Sequence, residues 1–372
     1  MNKAPRFATL DLMRLILAMY VAAAHLRGAW HPLQGLLAVD FFFILSGFVL
    51  CAGYLPRASG ANFYTNFLVD RIARLYPLHL LTLLALVPLN ILFWSTTGVG
   101  LEHGWSYQDG YTYTFVLNLL MVHSLGFASN LSWNAPSWSI SVELFVNLVL
   151  GLALIAAKGN ARRLVWLAAV TIASVGYFAL YREIGQLGAI TERVYGSINA
   201  SVVRGFAGIA LGVVCFGVYE KLQHLRPRGW QRVLSALMAL KLAGLCLYLL
   251  NEDAGFKHSD FALLPLFFLT IFWIAIAERW NPITRGASLL YALDGASYAV
   301  YLLHWPVITF LRYQAIHAWR WPINFADPLT TALILGGILI GAIAVFFLIE
   351  LPLKSYTKRW LTLQRVESLP AL

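Results

Sequence analysis

The feature that most restricts this chain is a succession of apolar runs, each about twenty residues long, from one end to the other. Read as spans they fall at 8–27, 36–55, 76–95, 139–157, 164–180, 201–219, 233–250, 261–278, 288–311 and 329–350. A helix rises ~1.5 Å per residue, so about twenty residues match a hydrocarbon core of ~30 Å. The runs lack the strict alternation of a membrane β-strand, which selects helices over a barrel. Composition agrees: 60% of the residues are hydrophobic and 12% charged, against roughly 45–50% and ~25% in soluble domains. The expected fold is an all-α integral membrane protein of about ten transmembrane helices, forming a single domain over 1–372. The first apolar stretch is too long, and too interrupted by Arg14, for a cleavable signal peptide. Cys51, Cys215 and Cys246 lie in apolar runs without metal-ligand spacing. They read as packing residues, and no metal is expected.

A shorter apolar run at 112–127 decides the topology. If it crossed, the arginine-rich loops after it would face outward, so it is expected to be a re-entrant or interfacial helix. With the N-terminus cytoplasmic, only Arg27, Arg182, Arg193, Lys257, Arg312 and Arg320 fall outside, and Arg14, Arg204 and Lys241 lie within spans. The remaining eighteen of the 27 Lys and Arg residues are then cytoplasmic, as are both termini. The net charge of +10 is accounted for by orientation, and no nucleic-acid partner is expected. Mean hydropathy of +0.70 and this charge bias suit a multi-pass protein of a bacterial inner membrane.

Within this frame the informative residues are those that do not belong in lipid. The first span carries Asp11, Arg14 and His25. Eleven steps at ~100° bring Arg14 and His25 to within ~20° of one face, and the rise sets them ~16 Å apart. Ionisable groups in a membrane are costly and mark substrate paths or catalytic sites. In WSISVE, Ser139 and Glu143 lie one turn apart at the outer start of a span. His304 rises to the outer third of its span, Asp40 and Ser46 descend from the outer side, and Arg204 begins another span there. Several spans thus converge on one polar layer, which is expected to be a functional site. Plainer roles stand beside each residue: a structural His25–Glu143 bond, an interfacial anchor at His304, close helix packing at Ser46 and Gly47. Arg71 and Arg74 in DRIARLYPLH share a face if helical and suit a phosphate or carboxylate, or serve as ordinary inner-loop cations.

Taken together these stretches resemble the membrane-bound acyltransferase-3 family. The shared features run in order: Arg14 and His25 with ten residues between, VDFFFILSGF from 39, Arg71-x-x-Arg74, WSISVE at 138–143, RGFAGIALG at 204–212 and SYAVYLLHWPV at 297–307. The resemblance implies about ten spans and transfer of an acyl group, most often acetyl from cytoplasmic acetyl-CoA. The acceptor is implied to be a hydroxyl at the outer face, on a glycan such as exopolysaccharide or a lipid-linked saccharide. Some members add an extracytoplasmic hydrolase-like domain, which a chain ending at Leu372 is expected to lack. Oligomeric state stays open.

On that resemblance Arg71 and Arg74, with Ser46, would meet the CoA end of the donor. Arg14 would bind its arm or polarise the thioester carbonyl. His25 would be the general base, an unperturbed pKa near ~6.5 suiting neutral pH. Glu143 would orient the imidazole. Ser139 would donate a hydrogen bond or carry a covalent acyl group. Asp40, Arg204, His304 and Trp138 are expected to line the acceptor's place. The competing reading is a transporter whose Arg, His and Glu residues form a substrate path. The absence of a Gly/Pro-broken repeat pair weighs against it. A second class of membrane O-acyltransferase and a non-catalytic scaffold for polysaccharide assembly are further alternatives.

Overall fold

A computed structural model describes residues 7–97, 110–281, 295–313 and 323–367. Residues 98–109, which belong to the expected outer loop, and the beginning of the expected span 288–311 lie outside the described residues. The helices are α1 (Ala8–Leu26), α2 (Ala38–Tyr54), α3 (Phe63–Thr97), α4 (Tyr111–Leu119), α5 (Trp138–Lys158) and α6 (Arg162–Glu183). They continue with α7 (Ala200–Leu222), α8 (Gly229–Leu250), α9 (Leu263–Trp280), α10 (Ala296–Tyr313), α11 (Pro328–Val345) and α12 (Leu351–Glu367). Among the described residues nine helical stretches are long and apolar enough to cross a membrane, so the protein is a multi-pass membrane protein. α10, which carries Ser297, His304 and Arg312, is not among the nine. One short antiparallel hairpin, Arg193–Val194 with Ile198–Asn199, joins α6 to α7.

Two elements depart from the expected spans, and the run at 112–127, expected not to cross, forms a short helix. α3 runs 35 residues without interruption, about 52 Å at ~1.5 Å per residue. It therefore absorbs the loop that the sequence placed before Tyr76. Pro77 and Pro88 sit inside it, tolerated because neighbouring groups in a bundle can satisfy the carbonyls that proline frees. The run at 112–127 forms only the nine-residue α4, about 13 Å long, which is too short to cross. Met121, with φ 55°, turns the chain after it. Beyond α11 a π-helical turn, Phe346–Glu350, leads into α12. α12 packs along α3 and pairs Lys358 with Asp70 at 2.5 Å.

The core is centred on α2, which packs most extensively against α7. Glycine makes the approach close. A Cβ on Gly47 would lie 2.1 Å from the Ile209 carbonyl oxygen, and a Cβ on Gly212 would meet the Ile44 carbonyl. The two backbones touch at these facing glycines, as small residues allow in membrane bundles. Beside this seam Asp40 of α2 and Arg204 of α7 form an ion pair at 2.6 Å with both side chains buried.

Candidate functional site

The site is built on α1, and α1 is held at both ends by charge. Its first amides, Ala8 N–H and Thr9 N–H, donate to the two carboxylate oxygens of Glu278 at 2.8 and 3.1 Å. At the other end Arg312 Nη2 donates to the carbonyls of His25 and Leu26 at 3.1 and 3.0 Å. An anion at the N-terminus and a cation at the C-terminus also complement the helix dipole. The stripe bearing Arg14 and His25 is thereby fixed relative to α9 and α10.

His25 faces a cavity of about 630 Å³, the outer one on the expected topology, which Trp138, Arg204, Trp305 and Arg312 also line. Its Nδ1 lies 3.1 Å from Nε2 of His304, and the rings are stacked 5.1 Å apart. The tautomers follow from the neighbours. His304 Nδ1 is 3.0 Å from the Val300 carbonyl oxygen, which can only accept, so Nδ1 carries the proton and Nε2 offers a lone pair. His25 Nδ1–H then donates to that lone pair, leaving His25 Nε2 as the basic nitrogen. Trp305 meets the His25 ring edge-on at 5.3 Å and donates its indole N–H to the Trp133 carbonyl at 3.1 Å. Pro306 cannot donate to the Leu302 carbonyl one turn back. Asn134 fills that gap, its amide donating to Leu302 O at 2.9 Å.

An inner cavity of about 310 Å³ lies below. Arg14, Arg57, Arg71 and Arg74 line it together with Asp11, Glu143, Ser46, Ser139, Tyr298 and Tyr301. Arg71 donates from Nη2 to the Tyr54 hydroxyl at 2.8 Å, and its buried Nε has no hydrogen-bond partner. Four guanidinium groups against two carboxylates make this a cavity for an anion. Four helices each pass from one cavity to the other at one level. α1 does so between Arg14 and Val21, α5 between Ser139 and Trp138, while Val39 of α2 and Tyr301 of α10 line both.

The expected residues separate accordingly. Arg14, Ser46, Arg71, Arg74, Ser139 and Glu143 share the inner cavity, and Arg71 and Arg74 lie on α3 rather than on a loop. Glu143 accepts from Ser46 Oγ at 2.7 Å, and the group that orients His25 is His304. The reason is depth: Glu143 lies five residues beyond Trp138, ~7.5 Å along α5 from the outer rim. Ser139 is also engaged elsewhere. Tyr301 donates its one proton to the Pro136 carbonyl at 2.8 Å, so Ser139 donates to the Tyr301 oxygen at 2.8 Å. Its hydroxyl has no base against it, which counts against a covalent acyl-serine.

Three of the expected acceptor residues have other partners. His304 is wholly buried and lines neither cavity; its Nε2 meets His25. Asp40 is likewise buried. Arg204 gives Nη2 and Nε to Asp40 and Nη1 to the Ala189 carbonyl, and its guanidinium lies 5.0 Å from the Trp138 ring. Its fork is filled by structure, although Arg204, like Trp138, still lines the outer cavity. Two residues beyond those expected, Tyr301 and Arg312, also belong to the site. Ser297, Tyr301, His304, Ile308 and Arg312 follow the i, i+4, i+7, i+11, i+15 pattern of one helix face, and that spacing is the signal in the sequence that points to them. Among the described residues no group of three His, Cys, Asp or Glu is placed to hold a metal ion.

A family model described as an acyltransferase domain matches residues 7–351. Protein 2 of the picA locus of Rhizobium radiobacter is 31% identical over 40% of this chain and 84% of its own length. The acyltransferase MdmB of Streptomyces mycarofaciens is 35% identical over 38% of this chain and 34% of its own. A Staphylococcus aureus protein with the provisional name O-acetyltransferase is 22% identical over 82% of this chain and 51% of its own. The chain thus spans about a third and about half of the last two relatives. No solved structure matches the chain at a significant level.

Proposed function

The chain belongs to the acyltransferase family whose model spans it, and from that premise we propose that it transfers an acyl group, acetyl by default, from cytoplasmic acyl-CoA to a hydroxyl on an extracytoplasmic glycan. The observation that carries the reading is the pair of cavities on one α1 stripe, guanidinium-lined at the Arg14 end and imidazole-lined at the His25 end. Arg57, Arg71 and Arg74 suit the phosphates of CoA, with Arg71 Nε still to be satisfied. Its pantetheine arm would run past Arg14 toward the partition. The aromatic side chains Trp138 and Trp305 and the cations Arg27 and Arg312 suit a sugar face in the outer cavity.

The step is a direct transfer. His25 Nε2 takes the proton of the acceptor hydroxyl as its oxygen bonds to the thioester carbonyl carbon. His304 holds the imidazole in the tautomer this requires. The carbonyl oxygen gathers negative charge as that bond forms, while Arg14, ~16 Å from His25 along the stripe, holds the donor's arm below it. The C–S bond then breaks, and the thiolate recovers the proton from His25, so CoA leaves as the thiol and His25 returns neutral.

The test is the O-acetyl content of surface glycans, measured by NMR in a deletion host complemented with wild type, His25→Ala or His304→Ala at matched membrane levels. Membranes carrying wild type should also release CoA thiol from acetyl-CoA only when acceptor is present. His25→Ala should abolish both signals, and His304→Ala should lower them by about 10² or more, as loss of an orienting group does. Full activity in His25→Ala would overturn the base assignment. Acceptor appearing across the membrane with no thiol release would favour a transporter.

A further inference from the structure

The inner and outer cavities abut where Val39 and Tyr301 line both. An acyl group moving between the arginines and His25 must pass these two side chains. Tyr301 is the fixed side. Its hydroxyl is bonded to Pro136 and Ser139, each at 2.8 Å, and its ring meets Phe42 and His304 edge-on at 6.0 Å. On the α1 stripe Ala18 falls between Arg14 and Val21 and lines neither cavity. Val39 is therefore the wall whose volume is free to vary, and it is 4% exposed.

We propose that Val39 and Tyr301 form the aperture that limits acyl size, restricting the donor to thioesters of short, unbranched acyl groups. This rests on the proposed acyl transfer and adds its donor class. Tyr301, braced at its hydroxyl, sets a rigid rim, and the two Val39 methyls fill the space that further acyl carbons would need. A pocket wall discriminates one methylene by roughly 10–200-fold, so removing two methyls should admit about two more carbons.

The experiment measures acyl transfer from acetyl-, propionyl-, butyryl- and hexanoyl-CoA to the wild-type acceptor in membranes, as the ratio of each rate to the acetyl rate. Val39→Ala should raise the butyryl-to-acetyl ratio about tenfold or more. Val39→Ile should lower the propionyl-to-acetyl ratio, and Val39→Thr, which keeps the volume and changes the chemistry, should leave the profile as in wild type. Tyr301→Phe frees the rim and should broaden the profile. Transfer in these variants with every ratio unchanged would refute the aperture while leaving the acyltransferase reading standing. Should Val39→Ala fail to fold, an unchanged profile in Val39→Ile refutes the aperture equally. Absence of any thioester-dependent transfer by wild type would overturn the underlying reading and the aperture with it.

Discussion

The Asp40–Arg204 pair gives the sharpest test of structural against substrate-binding roles. Their places in the sequence put both residues at the acceptor; the structure buries both and joins them at 2.6 Å. Replacing one partner strands the other. In Asp40→Ala the guanidinium keeps only the Ala189 carbonyl and the Trp138 face. In Arg204→Leu a carboxylate remains with no cation, and the Ala189 carbonyl also loses a donor. Breaking a buried pair from one side costs about 3–5 kcal/mol, and replacing both partners by apolar groups costs far less or is neutral. The double variant Asp40→Ala/Arg204→Leu should therefore be more stable than either single one, with a coupling energy of about 2 kcal/mol or more. Denaturant unfolding in detergent micelles, followed by near-ultraviolet circular dichroism, measures all four proteins of the cycle. The reasoning fails if both single variants unfold with wild-type midpoints while the acceptor KM rises, because the pair would then be serving the substrate.

Other expectations follow from individual contacts. Gly47→Ala places a Cβ 2.1 Å from the Ile209 carbonyl oxygen, so α2 and α7 must separate, at a cost of about 1–3 kcal/mol for overpacking. A lower unfolding midpoint checks it, and Gly47→Ala as stable as wild type would contradict the tight seam. Glu278→Ala removes the acceptor of two α1 amides and should destabilise by about 1–3 kcal/mol. Hydrogen exchange should rise first at the α1 N-terminus, and unchanged protection there would refute the cap. Arg71→Ala removes a guanidinium from the inner cavity. On the proposed reading, charge-assisted bonds of about 1.5–3 kcal/mol translate into a roughly ten- to hundredfold rise in the acyl-CoA KM with kcat little changed. A fall in kcat alone would place Arg71 elsewhere in the mechanism.

Local periodicity was legible and tertiary pairing was not. The Arg14–His25 stripe follows from helical geometry alone, and the two residues do face two cavities on that side of α1. The failure of 112–127 to cross was likewise readable, because the charge bias forbade the alternative. The extent of α3 was hidden by Pro77, which reads as a boundary in a soluble chain but lies inside a membrane helix whose neighbours supply hydrogen bonds. The partner of His25 was hidden for another reason. His304 and Glu143 stand at similar nominal depths in a hydropathy plot, and only the packing of α1 on α10 selects between them. No local signal joins Asp40 to Arg204, which are 164 residues apart.

These pairings also explain how so many polar groups are held in an apolar bundle. Ser46 with Glu143, Ser139 with Tyr301, Asp40 with Arg204 and His25 with His304 each satisfy a donor and an acceptor across two helices. An unsatisfied polar group in hydrocarbon costs several kcal/mol, so each pair fixes the relative rotation of its helices while removing that penalty. What the pairing leaves unused on the cavity side is then specific: the Nε2 lone pair of His25 above, and Nε of Arg71 below. α1 itself, clamped by Glu278 and Arg312, cannot shorten the ~16 Å between Arg14 and His25. A reacting thioester must lie within ~3–3.5 Å of the attacking oxygen. On the proposed reading the distance is therefore closed by the donor's flexible arm, extending from the arginines to the Tyr301–Val39 level, and not by movement of the first helix. A cross-link fixing α1 to α9 near Glu278 should accordingly leave kcat within about twofold, whereas a donor truncated in its arm should lose kcat even at saturation. Loss of turnover on cross-linking would show instead that α1 moves.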